Sequence, residues 1–187
     1  LGKLGAPRAV PCLLRTYEFY YEDAWDWQIP TGVLVADALG MIADKRSTQP
    51  LIDFLDTGIQ SYIAYADIHP GEAKMMGAVA EALGNIGEPR DRGHPGLQPA
   101  VVRLMQVLDD GWLEQPHGYQ ARAGAAWALG KLAPFITRKG HIRAHATNQL
   151  MAVLGYPDHW EVLANTVWAL GEMGDERALP HIIEALD

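Results

Sequence analysis

Ala169-Leu170-Gly171-Glu172-Met173-Gly174 is the phrase that decides the fold, because versions of it recur along the whole chain. The same pattern begins at Ala38, Ala82 and Ala128, and a shortened copy, Leu1-Gly2-Lys3-Leu4-Gly5, opens the sequence. The third residue of each full phrase is a glycine, which we use as an anchor for numbering. The anchors stand about 40 residues apart, a period typical of a two-helix solenoid with loops of variable length.

A second phrase follows each anchor: a proline, then an apolar run with helical spacing. The prolines are Pro11, Pro50, Pro99 and Pro180, and the remaining copy has Asn148-Gln149-Leu150-Met151 instead. Proline is tolerated in the first turn of a helix, where its missing N–H has no intrahelical partner, so these residues mark helix starts. We call this helix A, and the helix that ends at the anchor helix B.

The two phrases together predict an all-α fold, a right-handed α-solenoid of about four to five helix pairs in a single domain, 1–187. The predicted repeats are 7–43, 47–87, 96–133 and 140–174, with a half repeat at 176–187. The predicted helices are 7–23, 30–43, 47–65, 71–87, 96–110, 119–133, 140–154, 159–174 and 176–187.

The stretch from Ala169 to Ile183 resembles the HEAT-like repeats first associated with phycobilisome lyases. The resemblance covers nearly the whole chain and implies the solenoid fold, with B helices lining the concave side. It does not specify a function, since such repeats serve as scaffolds, adaptors, bilin lyase subunits and enzyme appendages. This chain departs from the usual pattern in its longer repeats, and the basic residue usual early in helix B survives only as Arg122.

Composition excludes several classes of protein. The chain has 187 residues, 49% of them hydrophobic, and a formal net charge of −8. The acidic balance argues against a nucleic-acid partner, which needs a basic surface, and a lone cysteine excludes an internal disulfide framework. No apolar run reaches the ~18 residues of a membrane span, and no signal peptide is recognisable. We expect a soluble protein of the cytoplasm.

Helical periodicity separates the buried face of each B helix from the face open to a partner. Counted back from the anchor, positions 1, 4, 5 and 8 fall on one arc and are predicted to be buried. In the first two full repeats they hold Val35, Ala36, Leu39, Met76, Val79, Ala80 and Leu83.

The opposite ridge is predicted to bind a partner. Three residues before each anchor it holds Asp37, Glu81, Trp127 and Trp168, and the tryptophans are large aromatics where periodicity predicts exposure. Small or polar neighbours leave room beside them, and one base lies on the ridge; these further site residues are Ala123, Gly124, Asn165 and Lys74. Such a patch suits a partner helix, a peptide or a flat ligand. The alternative is that a tilted helix or a loop covers both rings.

Candidate catalytic and metal-binding residues do not form a constellation. His141 and His145 have the spacing of two metal ligands but lack the glutamate and third ligand of a zinc site. His69, His117 and His159 recur before successive B helices, where a position near a helix start explains them more simply. Cys12 is predicted to be a buried apolar residue. We therefore expect no metal and no cofactor, and whether the chain is an enzyme stays open, leaning to no.

Residues 17–27 hold the densest group of aromatic and acidic side chains. They either bind a basic partner or, as we prefer, cap the end of the solenoid. The stub at residues 1–5 and the unpaired last helix suggest a segment of a longer array, or a homodimer through exposed solenoid ends.

Three functions remain in view. The first is a non-enzymatic scaffold or adaptor that binds another protein or peptide on the B-helix ridge. The alternative is a bilin lyase subunit or bilin-handling protein that uses the same aromatic groove. A nucleobase-repair enzyme is disfavoured because the ridge lacks the basic residues that nucleic acid requires.

Overall fold

The computed structural model describes residues 6–22, 29–65, 69–87, 97–108, 117–136, 140–155 and 159–187. Within these ranges the chain forms nine α-helices and no strand, as the two recurring phrases predict. The helices are α1 (Val10–Glu22), α2 (Ile29–Ile42), α3 (Thr48–Tyr65), α4 (Pro70–Ile86), α5 (Leu97–Val107), α6 (Tyr119–Leu132), α7 (His141–Leu154), α8 (Trp160–Met173) and α9 (Leu179–Leu186).

The predicted helix starts are confirmed. Each proline of the second phrase lies in the first turn of its helix: Pro11 in α1, Pro50 in α3, Pro99 in α5 and Pro180 in α9. At these positions the ring replaces an N–H that the helix could not have paired, so the residue ends the preceding turn without weakening the helix that follows.

The helices pack in sequential pairs and form two layers, so the predicted all-α solenoid is confirmed. α2, α4, α6 and α8 form an inner layer in which each helix packs extensively on the next. α1, α3, α5, α7 and α9 form an outer layer with much sparser contacts between neighbours. The closer packing of the inner helices is what a solenoid is expected to have in the layer that lines its concave side.

Small residues let the inner helices approach backbone to backbone. A Cβ atom added at Gly124 of α6 would lie 2.5 Å from the carbonyl oxygen of Gly77 in α4. At the anchors, a Cβ on Gly84 would lie 3.0 Å from the Cα of Ala128, and one on Gly130 would lie 3.0 Å from the Cα of Ala169. The recurring Ala-Leu-Gly phrase is thus the inter-repeat contact: the alanine of one repeat sits on the anchor glycine of the repeat before it.

The predicted core residues are confirmed, all of them 6% exposed or less. They are Val35, Ala36, Leu39, Met76, Val79, Ala80 and Leu83. The buried surface is wider than one arc, however, because α4 and α6 each lie between two inner helices and one outer helix. In α4 the residues Ala73, Gly77, Ala78 and Ala82 are buried as well.

Two turns between repeats share one arrangement. Asp44, four residues after the anchor of α2, accepts a hydrogen bond from the backbone N–H of Arg46, whose guanidinium also donates to both carboxylate oxygens. Asp175 and Arg177 repeat this after α8. The arginine hydrogen bonds hold the pKa of each aspartate below its ordinary value of 3.8.

One sequence prediction is wrong, and two others lie outside the described residues. Cys12 is exposed on α1 rather than buried, because the apolar stripe of that helix passes through Val10 and Leu13 instead. The stub at residues 1–5 and the aromatic side chains predicted to form a cap at 17–27 lie outside the described residues. A helix long and apolar enough to span a membrane is not found in the described part of the chain.

Candidate functional site

Trp127 of α6 and Trp168 of α8 stack against each other on the concave layer. Their ring centroids are 6.2 Å apart and the planes meet at 25°. Trp127 is partly buried, whereas 38% of Trp168 is exposed. Successive inner helices thus present two aromatic rings side by side, with the more exposed ring on α8.

One edge of each ring packs against the anchor glycine of the preceding inner helix, α4 for Trp127 and α6 for Trp168. The Cζ3 atom of Trp127 lies 2.9 Å from where a Cβ on Gly84 would stand, and Cζ3 of Trp168 lies 2.5 Å from the same point on Gly130. The rings are therefore part of the packing between repeats and part of the surface. The sequence left two alternatives, rings exposed on the ridge or rings covered by a neighbouring element. Each ring combines the two, because one edge is packed against a glycine and the rest is not fully buried.

A cation already lies on one of the two rings. The Lys131 ammonium nitrogen stands 5.5 Å from the centroid of the Trp127 ring, within the range of a cation–π contact. Lys131 follows Trp127 by four residues, so both side chains lie on the same face of α6. In α8 the corresponding neighbour of Trp168 is Glu172, an exposed carboxylate.

Asp37 and Glu81 continue the ridge onto α2 and α4. Burial raises the pKa of Asp37 above its ordinary value of 3.8. Burial also raises the pKa of Glu81 above 4.5, and the nearby charges of Asp37 and Glu161 raise it further. No lysine, arginine or histidine nitrogen among the described residues lies within 4.0 Å of either carboxylate.

Glu161 is a site residue that sequence reasoning missed. It belongs to the first turn of α8, yet its charge acts on Glu81 of α4. The signal was in the sequence: Glu161 stands ten residues before its anchor, the same ridge position that Lys74 occupies in α4.

The small residues predicted to leave room beside the tryptophans are packing residues instead. Ala123 is 7% exposed and Gly124 is buried, because α4 and α8 close over this part of α6. The side-chain amide nitrogen of Asn165 donates a hydrogen bond to the carbonyl oxygen of Ala123 at 2.9 Å. The small residue that remains exposed beside Trp168 is Ala164, one turn earlier on α8.

Lys74 lies at the amino-terminal edge of the ridge, two turns before Glu81. It lines a shallow cleft of about 460 Å³ together with Pro30, His69, His117 and Gln120. Of the residues predicted to bind a partner, the structure therefore groups the two tryptophans, and separately Asp37 with Glu81. Lys74 is at the rim, and the remaining three serve helix packing.

Two of the three histidines near helix starts, His69 and His159, cap α4 and α8, whereas His117 precedes the N-cap of α6, Gly118, and does not cap it. The Nδ1 atoms of His69 and His159 accept hydrogen bonds from the backbone N–H groups of Gly71 and Glu161, at 3.2 Å and 3.3 Å. The ring of His159 also stacks on Tyr119, with centroids 3.8 Å apart. Among the described residues, no three histidine, cysteine or acidic side chains converge as metal ligands would.

Comparison with known families agrees with the repeats on which this geometry rests. Residues 112–187 match the family described as HEAT repeats, and residues 34–57 match the PBS lyase HEAT-like repeat. No curated protein and no solved structure matches the chain. The two matched regions include most of α2, the first half of α3 and all of α6 to α9, so both ends of the ridge lie within matched regions. The chain therefore contains HEAT repeat and PBS lyase HEAT-like repeat domains.

Proposed function

We propose that this chain is a non-enzymatic scaffold that binds a partner protein on the concave ridge of α2, α4, α6 and α8. The observation that supports it most is the stacked pair of Trp127 and Trp168, whose buried edges hold the rings still while Trp168 stays open to solvent. Rigid aromatic rings at a surface are the residues that contribute most to protein–protein binding. HEAT repeats generally mediate protein binding, and a cytoplasmic location stays a prediction.

The first test compares Trp168→Leu with Ile63→Ala as bait in a pull-down from the native host. Leucine keeps apolar contact with Gly130 but removes the flat ring. We therefore expect the variant to fold and to retain at least ten-fold less of a specific partner than the wild type. Ile63 lies on the outer helix α3 and is 66% exposed, so Ile63→Ala is the matched loss of an exposed apolar side chain. It should retain the partner.

The second test locates the contact. A photo-crosslinking residue at Ala164, beside Trp168, should form a covalent bond with the retained partner, and the same residue at position 63 should not. A partner that is lost equally from Ile63→Ala, or that crosslinks only on the outer layer, would contradict binding on the concave ridge.

A second candidate is a bilin lyase subunit or a bilin-handling protein. The flat surface of the tryptophan pair and the PBS lyase HEAT-like match at residues 34–57 favour it. Asp37 and Glu81 oppose it, since a bilin has carboxylates of its own that they would repel. Addition of a bilin should shift its absorbance with the wild-type chain and not with Trp168→Leu. An unshifted spectrum with the wild type would exclude this candidate.

A further inference from the structure

The concave ridge has an acidic end and an aromatic end. Asp37 and Glu81 lie at the ridge position of α2 and α4, and the charge of Glu161 on α8 acts on Glu81, while Trp127 and Trp168 form the other end. The carboxylates come from three different helices, so only the tertiary structure gathers them. The ridge therefore presents negative charge beside exposed aromatic surface.

Glu161 at the acidic end lies 3.8 Å from Nδ1 of His159, but the other two carboxylates have no such neighbour among the described residues. Asp37 and Glu81 have no cationic partner within 4.0 Å among the described residues, whereas the aspartates of the turns, Asp44 and Asp175, are each paired with an arginine. Asp37 is partly buried and Glu81 is exposed, so both carboxylates are accessible from the surface of the ridge. A cation supplied by a bound molecule could pair with them there.

At the aromatic end, the two tryptophans differ in their neighbouring charge. Lys131 lies over Trp127, but no cation of the described residues lies over Trp168, and Glu172 occupies the helical position that corresponds to Lys131. A cation above Trp168 would meet an aromatic face and a carboxylate together. Both ends of the ridge thus favour a positively charged group.

The length of the ridge sets the size of the ligand. Stacked helices lie ~8–10 Å apart, so Glu81 on α4 and Trp168 on α8 are about 16–20 Å apart across α6. An α-helix rises about 1.5 Å per residue, and about 11–13 residues would cover that distance. A helix of about three turns has both the length and the flat apolar face that the tryptophan pair requires.

We propose that the ridge binds a basic amphipathic helix of a partner protein. Its arginine or lysine side chains pair with Asp37, Glu81 and Glu161 at one end and with Trp168 and Glu172 at the other, and its apolar face lies on the two rings. This inference rests on the proposed scaffold function and specifies the partner's chemistry.

The test uses calorimetric titration of the full chain with a synthetic amphipathic peptide of about 16 residues, long enough to be helical when bound, with arginine along its polar edge. A counterpart with glutamate in place of every arginine is the charge control. We expect the arginine peptide to bind at least ten-fold more tightly than the glutamate peptide, and its affinity to fall as salt screens the charges.

Two variants and a control assign the contacts. Asp37→Asn combined with Glu81→Gln should weaken the arginine peptide about ten-fold and reduce its salt dependence. Glu172→Lys should also weaken it, because the new ammonium can cover Trp168 as Lys131 covers Trp127. Glu184→Gln, which removes an exposed carboxylate on α9, should leave the affinity unchanged.

The outcomes separate this inference from the scaffold proposal. Equal affinity for the two peptides, no binding at about 1 mM peptide, or unchanged affinity in the Asp37/Glu81 variant would overturn the basic helix. If a native partner still requires Trp168 in that case, the scaffold proposal stands alone. If Trp168→Leu also retains every partner, both fail.

Discussion

Ala43 and Gly174 end the inner helices α2 and α8 at equivalent positions, three residues after their anchors, with φ angles of 53° and 60°. Each backbone N–H donates to the carbonyl oxygen four residues earlier, which closes the helix in the left-handed conformation. Glycine adopts this conformation without steric cost, whereas an alanine Cβ clashes with its own backbone. One repeat therefore has the favoured residue at this turn and the other does not.

Exchanging these two residues tests that interpretation. Ala43→Gly should raise the free energy of unfolding by about 0.5–1 kcal/mol, because relief of the left-handed strain exceeds the added freedom of the unfolded chain. Gly174→Ala should lower it by a similar amount. Urea unfolding followed by circular dichroism measures both, and a shift of the two variants in the same direction would contradict the shared geometry.

At the scale of the helices, α4 and α6 approach each other closely because a glycine of one helix faces a glycine of the other. Gly77 and Gly124 meet between α4 and α6, where any side chain would collide with backbone rather than with a flexible atom. Gly171 is the exception among the anchors of the described helices, because nothing stands within 4 Å of a Cβ placed there. Replacement by alanine should therefore lower the stability of the fold at Gly124 but not at Gly171.

Gly124→Ala should destabilise the fold by about 2–3 kcal/mol, because α4 and α6 must move apart to accept the methyl group. Gly171→Ala should be neutral or stabilise it by up to about 1 kcal/mol, since alanine is the better helix former and the site is open. Thermal and urea unfolding of both variants measure the difference. A harmless Gly124→Ala would show that the inner helices are not in backbone contact.

At the scale of the whole molecule, two pairs of carboxylates among the described residues have pKa values shifted in opposite directions. Arginine hydrogen bonds lower the pKa of Asp44 and Asp175 at the turns, so their ionised forms stabilise the fold. Burial and mutual repulsion raise the pKa of Glu81 on the ridge, and burial raises that of Asp37, so their ionised forms weaken it. The formal net charge of −8 thus includes carboxylates whose ionised form stabilises the fold and carboxylates whose ionised form destabilises it. Stability sacrificed at a surface is typical of a binding site.

Glu81→Gln should therefore increase stability at neutral pH. A raised pKa means that the folded state holds the Glu81 proton more tightly than the unfolded chain does. The contribution of this proton to the free energy of unfolding is present below the ordinary pKa of 4.5 and is lost as the pH rises through the higher pKa of the folded state. Glutamine has no such loss, so the advantage of the variant in urea unfolding should be larger at pH 7 than at pH 4.

Glu184→Gln on α9 serves as the control for this measurement, because it removes one negative charge from an exposed site away from the ridge. A Glu81→Gln variant that unfolds more easily than the wild type at pH 7 would mean that the carboxylate has a stabilising partner. The acidic end of the ridge would then no longer attract a cation.

Local pattern was enough to predict the fold. The recurrence of Ala-Leu-Gly and the prolines at helix starts depend on backbone sterics and helical spacing, which operate within a few residues, and so the nine described helices agree with prediction. The tryptophan pair was also within reach, because helical periodicity placed Trp127 and Trp168 on one ridge of successive helices.

What only the tertiary structure decided is which ridge residues remain surface and which become packing. The periodicity of α6 alone predicts that Ala123 and Gly124 lie at the surface. In the structure α4 and α8 cover them, since glycine and alanine permit backbone contact on both sides. The charge of Glu161 on α8 acts on Glu81 on α4, a relation between two helices that the periodicity of either helix alone does not predict. The sequence by itself determined the helices and their order; the spacing between them, a sum of many side-chain contacts distant in sequence, determined the groove.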